Sequence, residues 1–508
     1  MCRFRAGNRS RSSSERESMQ SSSARDTSPS SSVTARRRFS FRRAADRWAD
    51  SQWGGRGTGL VAILAGAAAL RFVGLQYGLP FGNLLNPDEQ SIVPRAWKLV
   101  HGGGGDPHWF DYPSLLLYVN APFQWWQDEP SYLTARIVGV VLGLAAIAAT
   151  WWLGRRAFGT SAAAVAAAAT AVCTIHVAYS RAAVTDVPLT LGVAVALALM
   201  VKGRLELAGL AVGLATGFKY PGIFLLVPLV VAGWKQWPRL AASIALAVSA
   251  FFASSPFILV HRHQAWHEAF SVQRLARDGW LGFEHDHFAL IAFVDRLWEG
   301  LGPALIVCAI GLAVALFRRT KVDLILALFV LAYFIDLMTL QAHFDRYVLP
   351  LVPPLGALAG RMRSLAPVTL LLLVVPLTWS VRDAKELTHA DTRVIAERWV
   401  ERHLARGTHI AADPSTPSFE GLKVLALSLP GPKRPFDENR SIERLQSQGV
   451  KDVVVTGAIT DRVLAARSDY PRESQFYDQL RIRAKRIYYL QPGDGRAGPW
   501  VAVYRLPA

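Results

Sequence analysis

The residues able to do chemistry stand where the chain enters or leaves apolar runs. Asp88 and Glu89 follow a proline in Asn86-Pro87-Asp88-Glu89, and Asp186 opens the apolar run of Thr185-Asp186-Val187-Pro188. Three cations, Arg181, Lys219 and Arg346, lie at the ends of other runs. A carboxylate can act as a general base, and Lys and Arg can stabilise negative charge. A charge at the lip of a hydrocarbon phase is costly, which makes each a functional candidate. A plainer reading fits the same residues. Pro-Asp-Glu ahead of an amphipathic run is ordinary helix-capping chemistry, and Asp186 can cap its own helix or pair with Arg181. Arg181 and Arg346 can likewise simply neutralise Asp186 and Asp345.

Histidines gather further on: His261, His263, His267, His285 and His287, with Glu284 and Asp286 beside the last two. His285-Asp286-His287 can contribute to a metal site. No His-Glu-x-x-His or Cys/His spacing supports zinc, so no metal is expected, and a divalent ion is the lesser reading.

These residues are carried by a chain of 508 residues, 51% hydrophobic and only 19% charged, yet with a net charge of +18. Such sparse charge, with Ala/Leu/Val runs of membrane length, excludes an ordinary soluble multidomain protein. The three cysteines, Cys2, Cys173 and Cys308, exclude a disulfide scaffold. Residues 1–56 hold 13 Arg against five acids and are rich in Ser, so this basic tail is expected to be disordered and cytoplasmic, with Met19 an alternative start. It lacks the interleaved aromatics of a nucleic-acid binder, and no nucleic-acid partner is expected.

Apolar segments recur at 57–79, 134–154, 160–179, 186–201, 205–218, 220–233, 239–260, 297–317, 323–341, 347–360 and 365–381. Five short turns between them carry 11 basic residues against two acids, while the alternate loops are mixed or acidic. By the positive-inside rule the basic turns face the cytoplasm. About eleven crossings of the cell membrane follow, with the N-terminus inside and the C-terminus outside. Asp88, Glu89, Asp186, Lys219 and the segment His343-Phe344-Asp345-Arg346-Tyr347 then all face the outer side. Residues 205–233 are read as two short helices broken at Lys219-Tyr220-Pro221-Gly222, and such breaks survive at membrane depth only where packed or lining a cavity. The first outer loop, 81–133, contains an amphipathic piece (Ile92, Val93, Ala96, Trp97, Val100) expected to lie in the interface, with Trp125 and Trp126 at headgroup level.

From 382 the character changes. A helical pattern capped by Asp391 or Thr392 is followed by strand-like runs at 408–412, 452–456, 486–490 and 500–505, with helical stretches near 440–448 and 458–468. The expected architecture is a polytopic α-helical membrane domain over 57–381 and a small extracytoplasmic α/β domain over 382–508.

The order of motifs resembles a known family. Pro-Asp-Glu follows the first apolar segment, with Phe110-Asp111-Tyr112-Pro113-Ser114-Leu115 in the same loop. Ser180-Arg181 with Asp186 and Pro188, then Gly213 to Tyr220, Ser255-Pro256-Phe257 and Asp345-Arg346-Tyr347 with Leu349-Pro350 complete the series. In this order and on this side they resemble the GT-C superfamily of membrane glycosyltransferases, the protein O-mannosyltransferases and lipid A aminoarabinose transferases, over roughly 57–381. The resemblance implies a GT-C fold and transfer of a sugar from a polyprenyl-phosphate donor to a glycan, lipid or protein acceptor at the outer face. It implies Asp88 as the base, Glu89 shaping the site and Asp186 as a second acidic member. Arg181, Lys219, Tyr112, His343 and Arg346 are its substrate-binding candidates. One departure stands out: aminoarabinose transferases commonly carry a lysine before the loop proline, where this chain has Tyr112. Either another cation then meets the carrier phosphate or the donor differs.

The rival class is a lipid or solute transporter or flippase, which broken helices and intramembrane charge would also suit. A transporter needs carboxylates deep within helices, whereas here they cluster at outer ends. A non-catalytic envelope scaffold is a third reading.

Overall fold

Small residues allow the helices of this chain to approach closely. Gly209, Gly213 and Gly217 recur every four residues on one helix, and a Cβ at each would run into Ser243 O, Ala247 O and Ser254 Oγ of its neighbour. This spacing of small residues is a membrane-helix packing device. The computed structural model describes residues 58–286 and 288–507; the basic tail lies outside the described residues.

The helical part begins with α1 (Thr58–Phe72), after which the chain turns to α2 (Glu89–Val100) and α3 (Leu115–Gln124) of the first outer loop. Then follow α4 (Tyr132–Phe158), α5 (Thr160–Val172), α6 (Thr174–Ser180), α7 (Asp186–Val201) and α8 (Leu205–Phe218). A 3-10 turn (Tyr220–Leu225) leads to α9 (Leu226–Gly233), α10 (Trp237–Ser254), the short α11 (Phe257–Val260) and α12 (Arg262–Asp278). Next come α13 (Ala289–Leu301), α14 (Ala304–Arg318) and α15 (Lys321–Leu337), the last opened by a reciprocal Thr320–Asp323 capping box. A second 3-10 helix (Asp345–Leu351) precedes α16 (Val352–Gly360), α17 (Ala366–Leu372) and α18 (Val374–Glu386).

Among the described residues, few single helices are long and apolar enough by themselves to cross a bilayer. Three pass by length and composition, Tyr132–Phe158, Trp237–Ser254 and Arg363–Glu386, or five if the bent pairs α5–α6 (61°) and α13–α14 (119°) each count as one span. The reason is geometric. Helices such as α1, α7 and α8, with 14 to 16 residues, reach only about 21–24 Å at 1.5 Å per residue, short of the ~30 Å hydrocarbon core. Two expectations need correction. The apolar segment 297–317 is cut by the sharp bend at Gly302-Pro303, so only α14 continues it. The apolar face of α2 does not meet lipid: Ile92, Val93 and Ala96 are buried against Trp109, Leu116, Leu117 and Ala183 of the protein itself. Trp125 and Trp126, by contrast, are 70% and 65% exposed, as a headgroup belt requires. The break in 205–233 is present, with Lys219 in an extended conformation between α8 and the 3-10 turn.

The C-terminal part is α/β. Its five-stranded sheet has the order β3-β2-β4-β7-β5, from β2 (His409–Ala412), β3 (Lys423–Ala426), β4 (Asp452–Thr456), β5 (Lys485–Leu490) and β7 (Val501–Arg505). β2, β3 and β4 are parallel, while β7 runs antiparallel to β4 and β5. Every residue of β4 is buried, which its Asp-Val-Val-Val-Thr sequence suits. Helices α19 (Thr392–His403), α20 (Ile442–Ser447), α21 (Gly457–Ala465) and α22 (Pro471–Arg483) accompany the sheet, and β1 (Ala390–Asp391) pairs with β6 (Arg496–Ala497). Asp391 caps α19, its side chain accepting the Arg393 N–H. This region is tied to the first outer loop through Arg393 Nη2 donating to Leu84 O (2.7 Å) and Asn83 Nδ2 to Thr416 O (2.8 Å).

Candidate active site

Four charged side chains from four separate elements form a continuous line. Asp88 precedes α2, Asp186 is the first residue of α7, Lys219 ends α8 and Arg346 lies in the second 3-10 helix. Arg346 Nη1 stands 3.2 Å from Asp88 Oδ2, and its Nε 3.7 Å from Asp186 Oδ2. The other Asp186 oxygen accepts a 2.6 Å hydrogen bond from Lys219 Nζ. Asp186 is 0% exposed, and Lys219 and Arg346 are each 8% exposed. Charges this buried must be compensated, and two acids against two bases achieve it.

The aromatic surroundings complete the arrangement. The Lys219 ammonium lies 4.7 Å from the centre of the Tyr347 ring and 5.7 Å from that of Tyr112, both within cation–π range. Tyr112 donates its hydroxyl to Asp88 Oδ2 at 3.4 Å. Burial and the Asp88 charge push the Tyr112 phenol well above its ordinary range, so it remains a proton-bearing donor. Burial, with Glu268 nearby, also raises the Asp111 carboxyl.

Helix capping does not account for Asp88, whose side chain makes no capping hydrogen bond and is turned to Arg346 and Tyr112. Helix packing places Lys219: the close seating of Gly217 against Ser254 fixes the end of α8 from which Lys219 projects. Beside it is a small cavity of about 50 Å³ lined by Asp111, Tyr112, Lys219, Asp336 and Tyr347. Tyr220, Ala269 and Gln273 are shared between this cavity and an apolar groove of about 590 Å³, whose walls come from α8, α10 and α12 and include Phe251, Trp266 and Phe270.

The remaining sequence candidates lie elsewhere. Glu89 is fully buried and committed to Arg136, with Arg136 Nε 3.0 and 3.2 Å and Nη2 2.7 Å from its oxygens. It also accepts the Ala183 N–H at 3.1 Å. Its neighbour in sequence faces the charged line, while Glu89 itself ties α2 to α4 and to the loop before α7. Arg181 does not pair with Asp186; its Nη2 donates to Leu70 O, and it lines a separate cavity of about 330 Å³ with Asp345 and Asp383. His343 turns away to Asp286, its Nδ1 3.1 Å from Oδ2, and packs edge-on to Phe293. Asp345 accepts the Tyr179 hydroxyl at 2.7 Å.

Sequence reasoning did not single out Tyr347 or Asp111 as site residues. Both belong to the quoted motifs, but an aromatic opening an apolar segment and an acid in an acidic loop carry little signal alone. Of the triplet His285-Asp286-His287, His285 Nε2 meets Ala465 O at 3.2 Å and Asp286 pairs with His343 and Arg296, while His287 lies outside the described residues.

Comparison with known proteins agrees with this architecture. The sequence model of the dolichyl-phosphate-mannose-protein mannosyltransferase family matches residues 129–260. No curated protein sequence matches the chain significantly. Among solved structures, apo ArnT from Cupriavidus metallidurans is similar with a TM-score of 0.55 at 16% identity, covering 88% of this chain and 97% of that one. ArnT bound to undecaprenyl phosphate gives 0.53 at 16%, covering 87% and 97%. The Archaeoglobus fulgidus oligosaccharyltransferase in complex with Zn and sulfate gives 0.51 at 13%, covering 87% and 73%. At these identities the likeness is one of fold, which the chain shares with ArnT and the archaeal oligosaccharyltransferase. The helical expectation holds, and the resemblance is met at the level of the fold.

Proposed function

We propose that the protein is a membrane glycosyltransferase, moving a sugar from a polyprenyl-phosphate donor to an acceptor hydroxyl on the extracytoplasmic face of the cell membrane. The observation that carries this reading is the line Asp88–Arg346–Asp186–Lys219, set beside an apolar groove. Related folds support it: ArnT is known bound to undecaprenyl phosphate, and the archaeal oligosaccharyltransferase AglB in complex with dolichol-phosphate.

On this reading Asp88 removes the acceptor proton as the acceptor oxygen attacks the anomeric carbon. The bond from that carbon to the phosphate oxygen breaks, and the electron pair leaves with the lipid phosphate. Lys219 and Arg346 stabilise the charge that grows there. No proton donor is required for the leaving group, because a phosphate is stable as an anion. Asp186 holds both cations in place. The carrier chain lies in the groove walled by α8, α10 and α12, whose lining is almost wholly apolar. Tyr112 takes the loop position where a lysine is common in aminoarabinose transferases, and the Lys219 ammonium over its ring supplies the cation in that place.

The acceptor is a glycan, lipid or protein hydroxyl. Mass comparison of envelope glycolipids and glycans, extracted from cells with and without the gene, tests the reading. Loss of one sugar, restored by the wild-type chain but not by Asp88→Asn, is expected. Identical glycans in all three strains would refute it.

A further inference from the structure

Away from the charged line, Asp106, His108 and His261 bring one carboxylate oxygen and two ring nitrogens within 4.8 Å of one another. We propose that these three residues form a site for a zinc-class divalent metal, clipping the first outer loop to the start of α12. This site is independent of the sugar-transfer reading.

The geometry suits a metal ion. His261 Nε2 lies 2.6 Å, and His108 Nε2 3.6 Å, from the same oxygen, Asp106 Oδ2. Ligands 2.0–2.2 Å from a tetrahedral zinc stand about 3.3–3.5 Å apart, so small rotations of the three side chains suffice to seat one. The His261 ring is hydrogen-bonded to the carboxylate, and the His108 ring stands just beyond that distance. Two imidazoles and one carboxylate select zinc over magnesium or calcium, which prefer all-oxygen sets. The His108 side chain is 66% exposed, so a fourth position stays open to solvent or to a further ligand.

The backbone is arranged around this cluster. His108 sits in the left-handed region, with φ 47°, a conformation uncommon for a residue other than glycine and often associated with function. The other Asp106 oxygen accepts the His108 N–H at 3.0 Å. Gln264 of α12 donates to His108 O at 3.3 Å, and Glu268 of the same helix accepts the Phe110 N–H at 2.6 Å. The segment thus bonded to α12 leads within a few residues to Tyr112, and α12 walls the apolar groove. A metal there fixes one side of the candidate active site relative to the other.

The test uses the full chain in detergent, purified without a polyhistidine tag, stripped with a chelator and titrated with zinc chloride or magnesium chloride. One retained zinc per chain by elemental mass spectrometry, and no retained magnesium, is expected. His108→Ala and His261→Ala should each weaken zinc binding on the order of a hundredfold, while His263→Ala on the same helix should leave it unchanged. Hydrogen exchange across 101–114 should slow when zinc is bound. Failure to retain zinc, or wild-type affinity in both alanine variants, would overturn the proposal; unchanged exchange would remove the clip. If the variants do not fold, cobalt(II) added to the wild-type chain decides the matter. A tetrahedral visible absorption band that zinc displaces supports the site, and its absence sinks it.

Discussion

Arg346 stands between two carboxylates that are nearly a hundred residues apart in sequence, 3.2 Å from Asp88 and 3.7 Å from Asp186. One guanidinium therefore couples the first outer loop to the start of α7, and its geometry matters as much as its charge. Arg346→Gln should lower kcat/KM for sugar transfer by about 10²–10³-fold, the cost of losing one preorganised charge-stabilising group. Arg346→Lys should recover only part of this, since a point charge cannot span both carboxylates as a planar fork does. Transfer of labelled sugar by purified variants measures both.

Glu89 should behave as a structural residue. Glu89→Gln leaves the Arg136 cation buried with a neutral partner, and breaking a buried pair typically costs about 3–5 kcal/mol. A marked fall in melting temperature in detergent is expected, with turnover per folded molecule falling far less than in Asp88→Asn. Equal loss of turnover in the two variants would return Glu89 to the reacting groups.

A third test concerns the seam between α8 and α10. Gly213→Val puts a side chain against Ala247 O, where even a Cβ has no room; overpacking of this kind costs about 1–3 kcal/mol. Gly66→Ala on α1 meets nothing within 4 Å and should stabilise by up to about 1 kcal/mol through helix propensity. Thermal unfolding of the two variants side by side should move in opposite directions.

The C-terminal α/β region carries a pH dependence of its own. Burial, reinforced by the Glu401 carboxylate, raises Glu397 from an ordinary 4.5 to about 7. A raised carboxyl stabilises the fold while protonated, so its contribution is complete below pH 4.5 and is lost as pH rises through 7. Glu397→Gln should raise the melting temperature at pH 8 relative to wild type and leave it nearly unchanged at pH 4.5. A pH-independent difference would show that Glu397 does not titrate in this way.

Much of this was legible from sequence because membranes make charge conspicuous. Asp88, Asp186, Lys219 and Arg346 stand out in a chain with few charges near its apolar runs, and side-of-membrane reasoning put all four on the outer face. Individual pairings were less visible. Glu89 and Arg136 are 47 positions apart, and nothing in Pro-Asp-Glu says which acid faces inward. Hydropathy measures apolar length along the chain, and cannot see that α1, α7 and α8 are shorter than a bilayer is thick or that Gly302-Pro303 turns the chain by 119°. Strand β3 went unread, since Lys423–Ala426 is largely exposed at the sheet edge and lacks the buried run that betrays β4.

The 3-10 helix Asp345–Leu351 has a consequence of its own. With three residues per turn, successive side chains leave the axis about 120° apart, and three neighbours are sent three ways. Asp345 borders the Arg181 cavity, Arg346 enters the line of charges, and Tyr347 borders the Lys219 cavity. The segment is a partition one turn thick, and its register alone assigns acid, base and ring to their compartments. One residue inserted between Tyr347 and Val352 would turn all three by about 120° relative to α16, leaving a bundle that still packs around a site that no longer exists.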